Sequence, residues 1–160
     1  MIFDPRQGSP HRWLAVAPIF ALVFAICATA VVAGQSPQAT AEISTTLKHL
    51  FDRPEAPVEV DIVAASGSHA VASWVQGEKG GRALLRRDGS KWSILLCGGD
   101  GLRSAAGLTE AGVPSSDAET IANALAASEA ALSPGRRALF ASFGATIEVA
   151  PGDQHHEHAH

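Results

Sequence analysis

The sequence predicts an α+β fold: an N-terminal helix, an antiparallel sheet of about four strands in a meander, then two or three helices. Three observations predict it. Apolar and polar residues alternate from Val58, turn signals recur between Val58 and Cys97, and from Leu102 onward apolar residues return at helical spacing. Runs of strands followed by runs of helices belong to α+β architectures, here with the helices covering one sheet face. A chain of 160 residues fits one domain rather than a large multidomain enzyme, and 46% hydrophobic against 18% charged residues is too apolar for intrinsic disorder.

The elements follow in order. Residues 34–40 form a short linker, after which residues 41–150 make a single α+β domain. Ile43, Leu47, Leu50 and Phe51 fall at i, i+4, i+7 and i+8, one face of an amphipathic helix. That helix should stop by Arg53, because Pro54 disfavours helical geometry in the residue before it. Val58, Val60 and Ile62 alternate with Glu59 and Asp61, the period of a half-buried strand, and Ser66-Gly67-Ser68 turns the chain. A second strand covers Ala70 to Gln76. The turn Gly77-Glu78-Lys79-Gly80-Gly81 then leads into a third, Arg82 to Arg87. Asp88-Gly89 is the strongest hairpin signal, since both residues tolerate the positive φ of a type I′ turn, and Trp92 to Cys97 is the fourth strand. Leu102 to Ala111 reads as a short helix ended by Gly112 and Pro114. Ser116 and Glu119 fit a capping box for the next helix, whose stripe runs through Ile121, Ala124 and Leu125. Ser133-Pro134 supplies an N-cap and first helical position for a last helix carrying Leu139, Phe140 and Phe143, and Thr146 to Val149 is a further short strand.

The first 33 residues address the chain. Arg6 and Arg12 precede a stretch from Trp13 to Ala33 with no charge, and Ala28-Thr29-Ala30, Val31-Val32-Ala33 and Val32-Ala33-Gly34 are candidate cleavage sites. Residues 1–33 are therefore expected to be a secretory signal peptide, giving a periplasmic or secreted protein. The alternative is an uncleaved inner-membrane anchor facing the periplasm, since about 20 apolar residues span a bilayer. Cys27 does not mark a lipoprotein, because bulky Ile26 precedes it. Cleavage leaves Cys97 as the only thiol, so the domain relies on its core rather than an internal disulfide. A net charge of −4 is not the footprint of a nucleic-acid binder, whose basic surface displaces counterions from phosphate, so no nucleic-acid partner is expected.

The most pointed chemistry lies at the C-terminus. Residues 151–160 form a flexible tail in which His155, His156, His158 and His160 stand within six residues, with Glu157 among them. Neutral imidazole is the commonest metal-binding side chain, and three or four of them can satisfy a square-planar or tetrahedral ion. The affinity order of divalent metals favours copper, with zinc a second candidate. A terminal site preceded by Gly152 suits capture and handover better than catalysis, which needs a rigid constellation.

Other features carry less. Cys97 with His49 or His69 and Asp100 has the residue types of a nucleophilic triad, but a lone cysteine is usually a small buried hydrophobe. Gly77 to Gly81 lacks the Gly-Lys-Ser/Thr ending of a phosphate loop and reads as a hairpin turn. Trp74 and Trp92 read as core or cross-strand neighbours.

The strings Phe51-Asp52-Arg53-Pro54-Glu55-Ala56-Pro57, Ala72-Ser73-Trp74-Val75-Gln76-Gly77, Gly80-Gly81-Arg82-Ala83-Leu84-Leu85-Arg86 and Leu96-Cys97-Gly98-Gly99-Asp100, with Gly112-Val113-Pro114 and Leu139-Phe140, have a likeness. From about Ala41 to Phe143 the chain resembles a family of small exported bacterial proteins, the copper uptake system-associated proteins. A His-rich end also fits that group. The resemblance implies an exported protein working near copper acquisition and assigns neither a reaction nor ligands. The resulting expectation is a non-enzymatic, copper-binding accessory protein that captures the ion on its tail and meets a copper transporter or chaperone. Two alternatives stand beside it. One is a cystatin-like or nuclear-transport-factor-like module, helix on curved sheet, binding a small ligand or partner protein with no direct metal role. The other is an enzyme that uses Cys97.

Overall fold

The computed structural model describes residues 36–144 and, beyond them, the backbone of the two-residue strand Ile147–Glu148. The expected signal segment and the histidine tail lie outside the described residues. The architecture is α+β, as expected: one helix, an antiparallel meander, then further helices.

Helix α1 spans Pro37–Phe51, so it starts four residues before the expected boundary and shortens the linker. Ser36 caps it, its hydroxyl accepting from the Ala39 amide at 3.1 Å, and Pro37 occupies the first turn, where its missing N–H costs nothing. Asp52 ends it. Its amide donates to the Lys48 carbonyl at 2.8 Å while its carboxylate accepts from the Val58 amide at 2.6 Å, tying the helix end to the first strand.

The strands are β1 (Val58–Ser66), β2 (His69–Gln76), β3 (Lys79–Asp88), β4 (Lys91–Gly98) and β5 (Ile147–Glu148), in spatial order 1-2-3-4-5 and all antiparallel. Gly67, Gly77 and Gly89 take positive φ at the three tight turns between the first four, which is why those turns need glycine. Strand β3 starts at Lys79 rather than Arg82, so Gly80 and Gly81 belong to the sheet, not to a loop. The backbone carbonyl of Leu139 lies 2.9 Å from where a Gly80 Cβ would stand, and the Phe143 ring crowds Gly81 at 3.0 Å. The two glycines let the end of the last helix and the residues just after it cross the sheet end.

Four helical pieces follow β4 among the described residues. The expected helix Leu102 to Ala111 is divided: a 3₁₀ turn, Asp100–Arg103, precedes α2, Ala105–Glu110, and Ser104 caps α2 through the Gly107 amide at 3.1 Å. Helix α3 is Ser115–Ala130; its N-cap position is Pro114, with no side-chain cap, so Ser116 and Glu119 do not form the expected capping box. Helix α4, Pro134–Ala141, is capped by Ser133 as expected. The Ser66 hydroxyl donates to Asp117 at 2.7 Å, fastening the β1–β2 turn to the first turn of α3.

Helices cover both faces of the sheet, not one. On the first face Ile43 and Leu47 of α1 pack on Val58, Val63, Ala70, Ala72, Trp74, Ala83, Leu85, Trp92, Ile94 and Cys97. On the second, α2, α3 and α4 bring Leu108, Ile121, Leu125 and Phe140 against Ile62, Ala64, Val71, Val75 and Leu84. Each fully buried Val, Leu, Ile or Phe among them contributes about 1.5–3 kcal/mol. A β-bulge at Asp61 explains a misreading of β1: the register shifts between Val60 and Ile62, so Val58 and Val60 face α1 while Ile62 faces α3. No helix among the described residues is long and apolar enough to cross a membrane.

Candidate functional site

Three places concentrate chemistry among the described residues: the thiol of Cys97, a buried ion cluster on the α3 face, and a cleft on the α1 face.

Cys97 sits near the end of β4, pairing with Ala83 on one side and Ile147 on the other, and is 4% exposed. Burial pushes its thiol up from 9.0 to about 11, which suppresses the thiolate that nucleophilic chemistry requires. The residues grouped with it in sequence are scattered. His69 lies on β2 two strands away and three residues along from Ala72, the position level with Cys97, a separation of about 14 Å from strand spacing and rise. It also alternates with Ala70 onto the opposite face of the sheet. His49 is exposed on α1, and the Asp100 carboxylate is directed to Arg82.

The ion cluster was not legible as a site. Arg82 of β3 and Glu129 in the last turn of α3 are both 1% exposed. Arg82 Nε and Nη2 donate to one carboxylate oxygen of Glu129 at 2.9 and 2.8 Å, and the second oxygen meets Arg103 Nε at 3.1 Å. Arg82 Nη1 reaches Asp100 at 3.3 Å and the Phe140 carbonyl at 3.4 Å, and its guanidinium lies over the Phe140 ring. The Ser73 hydroxyl, directly across from Arg82 in the sheet, faces the same Glu129 oxygen at 3.5 Å. Two cations and two anions thus neutralise one another, satisfying the requirement that buried charges be paired. What this arrangement does is mechanical: it joins β2, β3, the 3₁₀ turn and the ends of α3 and α4. A signal for Glu129 existed in the stripe Ala118, Ile121, Leu125, Glu129, where a carboxylate takes the i+4 position of a buried row. A second, exposed cluster pins α4 to the bulge of β1. Arg136 Nε binds Asp61 at 2.5 Å and Nη2 binds Glu59 at 2.6 Å, and these hydrogen bonds, Asp61 first, hold the guanidinium even more firmly protonated.

Beneath α1 the first core cluster packs between the helix and the sheet. An open cleft of about 560 Å³ remains where α1 passes the β3–β4 turn, lined by Ala41, Glu42, Thr45, His49, Lys91 and Trp92 among others. Trp92 is 7% exposed, and its indole nitrogen is buried without a hydrogen-bond partner.

The tail histidines, His155, His156, His158 and His160, lie outside the described residues. Among the described residues no three His, Cys, Asp or Glu side chains gather into a metal-holding group. Strand β5 pairs Ile147 with Cys97 and Glu148 with Leu96, so at Glu148 the chain is heading along the β4 edge toward the β3–β4 turn.

Compared with known proteins, the chain matches no family model, no curated protein and no solved structure.

Proposed function

We propose that this chain is an exported, copper-binding accessory protein associated with copper uptake, in which His155, His156, His158 and His160 capture the ion and the α+β body docks a transporter or chaperone. One observation carries the reading: four imidazoles, with the carboxylate of Glu157, stand within the last six residues. A single ion needs no more than three or four such donors, and copper heads the affinity order for nitrogen ligands. The apolar, uncharged stretch from Trp13 to Ala33 supports export, and the likeness of residues 41–143 to copper uptake system-associated proteins supports the copper context. Zinc is the competing occupant.

The role is capture rather than turnover. Ligands on a chain terminus adapt to an incoming ion and release it to a better site, whereas catalysis needs groups held rigidly. The body supplies rigidity elsewhere, through cores on both sheet faces. Competition titrations of copper(II), copper(I) and zinc on the protein with and without residues 153–160 test the reading. Deletion should abolish most copper binding, and unchanged stoichiometry and affinity would refute the tail assignment.

A further inference from the structure

We propose that His49 of α1 adds a ligand from the folded body to the tail's copper site, with the tail lying in the cleft between α1 and the β3–β4 hairpin. This rests on copper capture by the tail and adds where the ion is held. His49 is exposed, and it shares the cleft of about 560 Å³ with Glu42 of α1 and with Lys91 and Trp92 of the hairpin.

The course of β5 brings the tail to that cleft. Glu148 is level with Leu96 of β4, and from Leu95 back to Lys91 the outer edge of β4 has no strand partner among the described residues. An open edge of this kind is a template for further pairing. From Leu96 back to Lys91 is about 17 Å along the strand, whereas the chain from Glu148 to His155 spans up to about 24 Å when extended, so the histidines reach the hairpin with length to spare. Pro151-Gly152 is a turn dipeptide, and it falls where continued pairing would come alongside Trp92, at the mouth of the cleft. The cleft runs about 17 Å along α1 from Gln38 to His49, and residues 155–160 are long enough to cover it.

Charge favours the same placement. Between its imidazoles the tail carries Asp153 and Glu157, and the hairpin wall is basic. Lys91 forms no ion pair among the described residues, and the Arg87 guanidinium lies 5.5 Å from the centre of the Trp92 ring. Of the acids nearby, Glu42 accepts from Gln38 at 3.0 Å and Asp88 stands across the strand pair from Lys91.

The coordination sphere gives His49 its part. Side chains alternate along an extended chain, so His156 with His158, or His158 with His160, would stand about 7 Å apart on one side and share an ion. Two imidazoles leave a square-planar or tetrahedral ion short of donors. His49 fills one of the remaining positions with the same nitrogen chemistry and fixes a terminal site to a rigid helix.

The test titrates the full chain with copper(II) against a competing chelator and records NMR spectra of the same samples. His49→Gln changes an exposed side chain. It should leave the fold and the copper stoichiometry intact and weaken binding at least about tenfold, the scale on which even the partners of metal ligands matter. Bound copper(II), which is paramagnetic, should broaden the amide signals of residues 45–50 and 90–92 and spare those of residues 117–125 on the opposite face. Binding that is lost with residues 153–160 but indifferent to His49→Gln, or broadening that misses residues 45–50, overturns this proposal and leaves tail capture standing. Binding that survives removal of residues 153–160 overturns tail capture and this proposal with it.

Discussion

Arg82 of β3 and Glu129 of α3 meet at 2.8 Å across the sheet–helix interface, each 1% exposed, and Glu129 is the only carboxylate among the described residues that is fully buried. Removing it strands Arg82 in a dry interior with Asp100, whose side chain is 71% exposed and too solvated to take over. Breaking a buried pair from one side costs about 3–5 kcal/mol, whereas replacing both partners by apolar groups is often neutral. Glu129→Ala should therefore lower the urea midpoint severely. The double variant Arg82→Met with Glu129→Leu should recover most of the loss, and equal losses in the single and double variants would show that the pair is not the source.

Gly80 and Gly135 should respond oppositely to alanine. A Cβ on Gly80 would lie 2.8 Å from the Trp74 carbonyl and 2.9 Å from that of Leu139, both backbone atoms that cannot swing aside. Overpacking of this kind costs about 1–3 kcal/mol. Gly135 lies in the first turn of α4 with open space around it, so alanine there restricts the unfolded chain and stabilises by about 0.4–1 kcal/mol. Thermal melting should move down for Gly80→Ala and up for Gly135→Ala.

The meander was readable because its turns are written in glycines at positive φ, a local property, whereas β2 and β3 are buried on both faces and carry no apolar–polar alternation. What escaped the sequence depends on neighbours far along the chain. Gly80 and Gly81 look like a loop until the crossing of residues 139–143 explains why a strand should lack side chains there. The bulge at Asp61 reverses the inward set of β1 with no change in local composition. Ser36-Pro37 carries the same cap-and-proline signature as Ser133-Pro134, and was missed because apolar periodicity begins only at Ile43. Arg82 and Glu129 stand 47 residues apart, and only the packing of α3 on the sheet brings them together.

Cys97 should make stability fall at high pH. Its thiol ionises near 11 in the fold, against 9.0 for the reference group, because burial disfavours the thiolate. Below pH 9 the thiol is neutral in both states and the contribution is whole. As pH rises from about 9 to about 11 the unfolded chain loses its proton first, so that stability drains away, by an amount of about 2–3 kcal/mol at most. Denaturation curves at pH 8 and pH 11 should diverge less for Cys97→Ala than for the parent. The same burial predicts that alkylating reagents modify Cys97 only on unfolding, and rapid reaction in the native state would reopen its reading as a nucleophile.

Copper capture by the tail carries its own pH signature. A bound imidazole must be neutral, and its reference pKa is about 6.5, so protons compete with the ion as pH falls below 7. Each ligating histidine then weakens binding by up to about tenfold per pH unit below 6, and three ligands acting together by up to about a thousandfold. The slope of log affinity against pH between 6 and 5 thus counts the histidines engaged. Replacing His155, His156, His158 and His160 one at a time should lower that slope in steps if all four participate. Flat affinity from pH 8 to 5 would contradict histidine ligation. A full slope that survived removal of residues 153–160 would move the site to His49, His69 or His11, the histidines that lie outside the tail.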